Sequence, residues 1–180
     1  MIAEAVLTDG TAALLWPLRS EDREALSEGY EHLSATTQYH RFLASAPHLS
    51  STQLDHLVDE VDGIDHVALV LVVIDVDRVG TPVGVARMIR YEEQPAAADV
   101  AVTVLDEWQG HGVATALLDE LVRQRPVGVT RVVTTVAADN GPSLAMLRRL
   151  GKTTVTPAGI GRLDVVVELT IPHPPDTANL

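Results

Sequence analysis

Apolar residues recur along this chain in two rhythms, alternation over short runs and a three-to-four spacing over longer ones. Residues 14–18, Leu-Leu-Trp-Pro-Leu, predict a first strand ended by proline. Ser20-Glu21-Asp22 then opens a helical pattern carrying Leu26, Tyr30 and Leu33, with Ser20 placed to cap it. A second helix is expected over 37–43, and a third from Ser51 with Leu54, Leu57 and Val58 on one side. Residues 66–75 are too β-branched and too short for a helix and predict a buried strand. A hairpin turn over 77–82 and a partner strand over 83–90 follow, then a loop over 92–98. Residues 99–105 alternate as a strand, and 112–125 show helical spacing at Val113, Leu117, Leu118 and Leu121. A strand over 131–136 comes next, then a helix over 142–150 that Gly151 is expected to stop. Strands over 153–156 and 163–170 complete the series, and residues 171–180 are expected to be a disordered tail. The order implies an α/β (α+β) fold, a mixed and mainly antiparallel twisted sheet flanked by helices.

Composition narrows the class. Hydrophobic residues make up 46% of the 180 residues and charged ones 21%, a globular balance with enough chain for one domain and its core. The longest unbroken apolar run, 67–74, is far short of the roughly 20 residues that span a bilayer. The first residues lack the basic start and apolar run of a secretion signal, so no membrane partner and a cytoplasmic location are expected. Without cysteine there is no disulfide, thiolate nucleophile or cysteine-ligated metal. A net charge of −12 argues against nucleic acid and suits cationic partners, although surplus acid also serves solubility alone.

The densest chemical signal lies where the strand over 99–105 runs into Gln109-Gly110-His111-Gly112-Val113-Ala114 and a helix follows at once. Small residues there let a ligand approach the backbone, and the first helical N–H groups point outward with the helix dipole behind them. That arrangement suits a pyrophosphate. No Gly-Lys-Ser/Thr follows, so this is not a Walker A loop, and no third glycine stands in register for a dinucleotide fingerprint. A lone Gly-x-Gly also fits an ordinary tight turn.

The longer string is more specific. Gln109, Gly112 and Ala114 resemble the Gln/Arg-x-x-Gly-x-Gly/Ala acetyl-coenzyme A signature of the GNAT N-acetyltransferases, with the strand before it and the helix after it in place. The resemblance covers about 14–170, the expected domain. It extends to the GNAT domain of bacterial Pat-type protein lysine acetyltransferases. Leu33-Ser34 with Tyr39-His-Arg41-Phe42 looks like that subgroup's Leu-Ser…Tyr-x-Arg-Phe helix, and Asp65-His66-Val-Ala-Leu like its Asp-His-x-Ala-Leu strand entry. The resemblance implies acetyl-CoA as acyl-donor cosubstrate and no metal. Backbone groups of Val102, Thr103 and Val104 would hold the pantetheine arm. Those of Gln109, Gly110, His111, Gly112, Val113, Ala114 and Thr115 would hold the pyrophosphate. Asn140 is either a further cofactor contact or simply the cap of the helix it precedes.

Amide formation from a thioester needs a held donor, a deprotonated amine and a stabilised oxyanion. Asp99 is the candidate base, because the Pat-type subgroup carries a glutamate at this place. Aspartate reaches about 1.5 Å less far, which points to relay through an ordered water. The oxyanion donor is expected to be a backbone N–H of the same strand. The family's usual acidic tyrosine would fall at Leu147 and is absent. Glu92 and Glu93 are reserve acids. His32, His40, His48 and His56 recur every eight residues, but eight helical residues turn about 80° and rise about 12 Å, so they do not converge on a metal. The leading expectation is an acetyl-CoA-dependent N-acetyltransferase acting on a lysine-bearing protein or a small amine. A homodimer is left open. The alternatives are a non-catalytic acyl-CoA-binding or sensor module, which the shorter acid and absent tyrosine favour, and a phosphate-sugar binder.

Overall fold

The structure, a computed structural model, describes residues 3–74 and 80–170. The expected turn over 77–82 falls partly, and the expected tail over 171–180 wholly, outside the described residues. The strands are β1 (Ala3–Val6), β2 (Ala12–Pro17), β3 (His66–Ile74), β4 (Gly80–Arg90), β5 (Ala97–Val104), β6 (Arg131–Ala137), β7 (Gly151–Pro157) and β8 (Arg162–Leu169). The helices are α1 (Arg23–Glu31), α2 (Ala35–Phe42), α3 (Ser51–Leu54, continued by a π turn over Asp55–Asp59), α4 (Val113–Arg123) and α5 (Gly141–Arg148). The strands form one sheet in the order β1-β2-β3-β4-β5-β6-β8-β7. Every pairing is antiparallel except β5 with β6, so the fold is the mixed, mainly antiparallel sheet with flanking helices that the pattern implied.

Burial on two faces explains the unbroken apolar run of β3. Val67, Leu69, Leu71 and Val73 join the main core, where Leu117, Leu118 and Leu121 of α4 and Leu147 of α5 are also buried. Ala68 and Val70 face a smaller cluster built from Leu18, Leu57 and Val58, below α1 and α3. A strand covered on both sides has no reason to alternate.

One strand was not expected, and two local expectations are corrected. The edge strand β1 pairs Ala3 with Leu15 and Val6 with Ala12, although its four residues and two alanines carry too little pattern to announce a strand. Ser20 does not cap a helix; it starts a single 3₁₀ turn, and the Asp22 carboxylate accepts the Arg19 N–H at 2.8 Å instead. Gly151 is not a left-handed helix stop. It opens β7, where a Cβ would lie 1.8 Å from the Glu168 carbonyl, so the residue is small to let β7 and β8 close together.

Candidate active site

The sheet opens at one place. β4 and β5 stay paired from Gly84–Val104 to Arg90–Ala98, whereas β5 and β6 meet only at Ala97–Arg131 and Ala98–Val132. Beyond Ala98 the two parallel strands part, and the outer edge of β5 from Asp99 to Val104 is left without strand partners. Unpaired strand backbone is a template for extended ligands.

A cleft of about 740 Å³ runs along that edge, between α2, the turn before α4, and α5. Val102, Thr103, Val104, Gln109, Gly110, Gly112, Val113, Ala114, Thr115 and Asn140 all line it. Gly110 and Gly112 have φ of +82° and +89°, a region that only glycine enters freely. A Cβ on Gly112 would come within 3.0 Å of Thr8 Cγ2. The first backbone bond of α4 runs from the Ala116 N–H to the Gly112 carbonyl, which leaves the N–H groups of Val113, Ala114 and Thr115 turned outward at the positive helix end.

Two of the expected cofactor residues take structural roles here. The Gln109 N–H donates to the Asp106 carbonyl, and its side-chain amide donates to Thr37 Oγ1 at 3.2 Å and the Val104 carbonyl at 3.3 Å, pinning the turn to α2. His111 is not among the residues lining the cleft. Its Nδ1 pairs with Asp9 Oδ2 at 2.8 Å, its carbonyl accepts the Thr8 N–H, and its ring sits beside Trp108. The Thr11 N–H first, and His111 second, pull the Asp9 carboxyl down to about 2.

The Asp106 latch was beyond sequence reasoning, since its partners are some 70 residues away. Its carboxylate accepts the Ser34 N–H and hydroxyl at 2.8 Å each and the Thr37 hydroxyl at 2.7 Å. Burial alone would raise this carboxyl, but those donors hold it below its ordinary value. Arg149 was missed as well. It lines the outer cleft and donates to Thr115 Oγ1 at 2.8 Å, a cation beside the exposed helix N-terminus in an otherwise acidic protein.

A second cavity of about 350 Å³ fills the gap between β5 and β6. Asp99 sits there at the point of divergence, opposite Ile89 of β4. Burial raises its carboxyl pKa, and the neighbouring Thr134 hydroxyl, the Val100 N–H and Arg41 offset this in part. Thr134 Oγ1 lies 3.4 Å from the Val100 carbonyl, across the start of the split, so its one hydroxyl proton has two acceptors in reach, Asp99 and Val100. Leu147 is 2% exposed and lines this cavity, an apolar group where the family tyrosine would stand. Asn140 lines both cavities. Its Oδ1 accepts the Ser143 N–H at 3.1 Å, so it does cap α5, and its amide nitrogen has no protein acceptor among the described residues. Across the mouth, His40 Nε2 pairs with Asp139 at 3.2 Å and Arg162 donates to the Leu43 carbonyl at 2.8 Å, tying α2 to the far strands. Glu92 and Glu93 are exposed and line neither cavity. No group of three or more metal-ligating side chains occurs among the described residues, and none of their helices is long and apolar enough to cross a membrane.

The family model for acetyltransferases (GNAT) matches residues 34–152. An acetyltransferase of Pseudomonas aeruginosa is 34% identical over 116 residues, 64% of this chain and 61% of its own length. This chain therefore spans less than two thirds of that relative. The GNAT domain of PAT from S. lividans superposes with a TM-score of 0.80 at 29% identity, covering 93% of this chain and 97% of that one. The Salmonella typhimurium protein yncA, solved with its cofactor acetyl-CoA, superposes at 0.67 with 18% identity over 92% of this chain and 98% of its own, a likeness of fold.

Proposed function

The chain belongs to the GNAT acetyltransferase family, and on that footing we propose that it acetylates a lysine side chain of a protein, with Asp99 as the base. Acetyl-CoA-dependent acetyl transfer to an amine is the family's reaction, and the cleft fits the donor. It offers unpaired strand backbone, outward helix N–H groups and a glycine where a Cβ would crowd the turn. The cosubstrate supplies an activated acyl group on a thiol that leaves readily. The protein's residues do the rest. N–H groups of Val113, Ala114 and Thr115 take the pyrophosphate, and the free edge of Val102 to Val104 takes the pantetheine amides. A backbone N–H of β5 faces the developing oxyanion. Asp99, through a water, takes one proton from the ammonium, and the freed amine attacks the thioester carbonyl; as the adduct collapses and the C–S bond breaks, the second nitrogen proton reaches the thiolate through solvent, and Asp99 returns its proton to solvent.

One observation carries this reading: Asp99 is the carboxylate set into the gap where β5 leaves β6, and its burial makes it a stronger base than an exposed aspartate. The lysine acceptor is supported by the net charge of −12 and by the likeness to the GNAT domain of S. lividans PAT. The test measures CoA release with lysine peptides and with the same peptides Nε-blocked. Release only with the free ε-amine supports the reading. Acetyl-CoA binding without release to any amine would favour the sensor alternative. Asp99→Glu, which restores the subgroup's length, should keep or raise turnover.

A further inference from the structure

A third cavity, of about 120 Å³, lies under α1 between Leu26, Tyr30, Leu57, Val70 and Val85. Its walls are mainly apolar, and the charged residues that line it are Asp22, whose carboxylate accepts the Arg19 N–H at 2.8 Å, and two arginines, Arg41 and Arg87. Arg87 is 4% exposed and donates to the Leu57 carbonyl at 2.8 Å and to His66 Nε2 at 3.2 Å. His66, held neutral by burial and by Arg87, brings no negative charge. Arg41, half-buried, differs from Arg87 in its partners. Its guanidinium rests on the Phe42 ring at 4.6 Å and makes no hydrogen bond or ion pair among the described residues.

Its position is as telling as its lack of partners. Arg41 lines all three cavities, the cofactor cleft beside Val102 and Thr103, the gap that holds Asp99, and the apolar pocket beside Thr103. On the acetyltransfer reading the reacting carbonyl lies where the cleft meets the gap of Asp99, and Arg41 lines both. We propose that Arg41 is a specificity-determining residue that binds a carboxylate carried by a substrate at this junction. The inference rests on the acetyltransfer reading of the same site.

Charge balance supplies the argument. Asp99 is the acid that Arg41 feels, and the two are not within ion-pair distance. Once an acceptor ammonium occupies Asp99, the half-buried Arg41 and the buried Arg87 share a pocket whose one carboxylate, Asp22, is engaged by the Arg19 N–H, so the junction is short of negative charge. A substrate carboxylate restores neutrality and matches the planar guanidinium in a bidentate pair. Two substrates can bring it: an acyl donor whose chain ends in a carboxylate, entering the pocket under α1, or a protein acceptor with a Glu or Asp side chain next to the reacting lysine.

The experiment has an arm for each source. In the donor arm, affinities of succinyl-CoA and butyryl-CoA are compared by calorimetry. In the acceptor arm, kcat/KM with acetyl-CoA is compared between lysine peptides that carry Glu or Gln next to the reacting lysine. Each ratio is measured in the wild type, Arg41→Gln and Arg41→Lys. The expected result is a ratio favouring the carboxylate in one arm, reduced about tenfold or more by Arg41→Gln and partly restored by Arg41→Lys. That arm identifies the source. Ratios unchanged within about twofold in both arms overturn the proposal. If Arg41→Gln fails to fold, the wild-type ratios and their weakening by salt decide, and no carboxylate preference in either arm overturns it. Flat ratios with normal turnover defeat this inference alone. Acyl-CoA binding without turnover of any amine defeats the Asp99 reading and leaves the donor arm readable.

Discussion

The turn before α4 lines the long cleft, the gap between β5 and β6 is a second cavity that shares Val102, Arg41 and Asn140 with it, and the two are built on opposite principles. The turn is held by fastened groups. Asp106 is bound by Ser34 and Thr37, Gln109 reaches back to Val104, and His111 is clasped by Asp9. What it offers a ligand is backbone. The gap offers side chains, a desolvated Asp99 and an Arg41 with only an aromatic ring beneath it. A backbone site tolerates many side chains but no change of geometry, whereas a side-chain site tolerates little change of chemistry. Substitutions at the two sites should therefore fail differently.

The largest effect is expected at the gap. Asp99→Asn is nearly isosteric, and loss of a general base costs about 10²–10⁴ in rate. Affinity for acetyl-CoA should stay within about twofold by calorimetry. On the proposed reading Asp99 works deprotonated, and burial raises its pKa, so wild-type activity should fall as pH drops through a value above the ordinary aspartate one. Asp99→Asn should lose that limb and regain part of its rate at high pH, where more amine is already neutral.

Gly112→Val reverses the pattern. A branched residue at φ +89° is strained and meets Thr8 as well, a cost of about 1–3 kcal/mol that weakens acetyl-CoA binding roughly 5- to 150-fold. Gly110→Ala, where φ is +82° but nothing lies within 4 Å, should weaken it less.

How much of this was legible follows the same division. The turn could be read because local spacing is its mechanism: Gln109, Gly112 and Ala114 stand in one short string between a strand and a helix. β5 and α4 could be read from period, and β3 from its unbroken β-branched run. The gap could not, because it is a failure of pairing between β5 and β6, and pairing is a relation between segments some 30 residues apart. Asp99 was reached only through the family resemblance. Arg41 stood within a recognised string, yet its place at the junction depends on packing of α2 over β5. The short β1 and the Asp106 latch left no pattern at all.

The latch gives a smaller prediction. Asp106 is exposed, so discounting for solvent, Asp106→Asn should cost about 1 kcal/mol and lower Tm by roughly 2–4 °C. Its folded pKa lies below the ordinary value, so its contribution is present above that value and lost as pH falls through the folded one. Thermal melts of Asp106→Asn should lack that acid-range decline.

The smallest effect is expected at His111→Ala, which removes an exposed pair from a turn with other fastenings. Tm and acetyl-CoA affinity should change little. The Asp9 carboxyl, followed by NMR titration, should rise from about 2 yet stay below its ordinary value, because the Thr11 N–H is the larger cause. Return to the ordinary value would assign the effect to His111 instead.

The separation of binding from chemistry is tested most directly by measuring acetyl-CoA affinity and single-turnover rate on both Gly112→Val and Asp99→Asn. Gly112→Val should move affinity and, at saturating acetyl-CoA, keep most of the rate, while Asp99→Asn should keep affinity and lose about 10²–10⁴ in rate. Loss of affinity in Asp99→Asn equal to that in Gly112→Val, or full turnover of Asp99→Asn across the pH range, would contradict it.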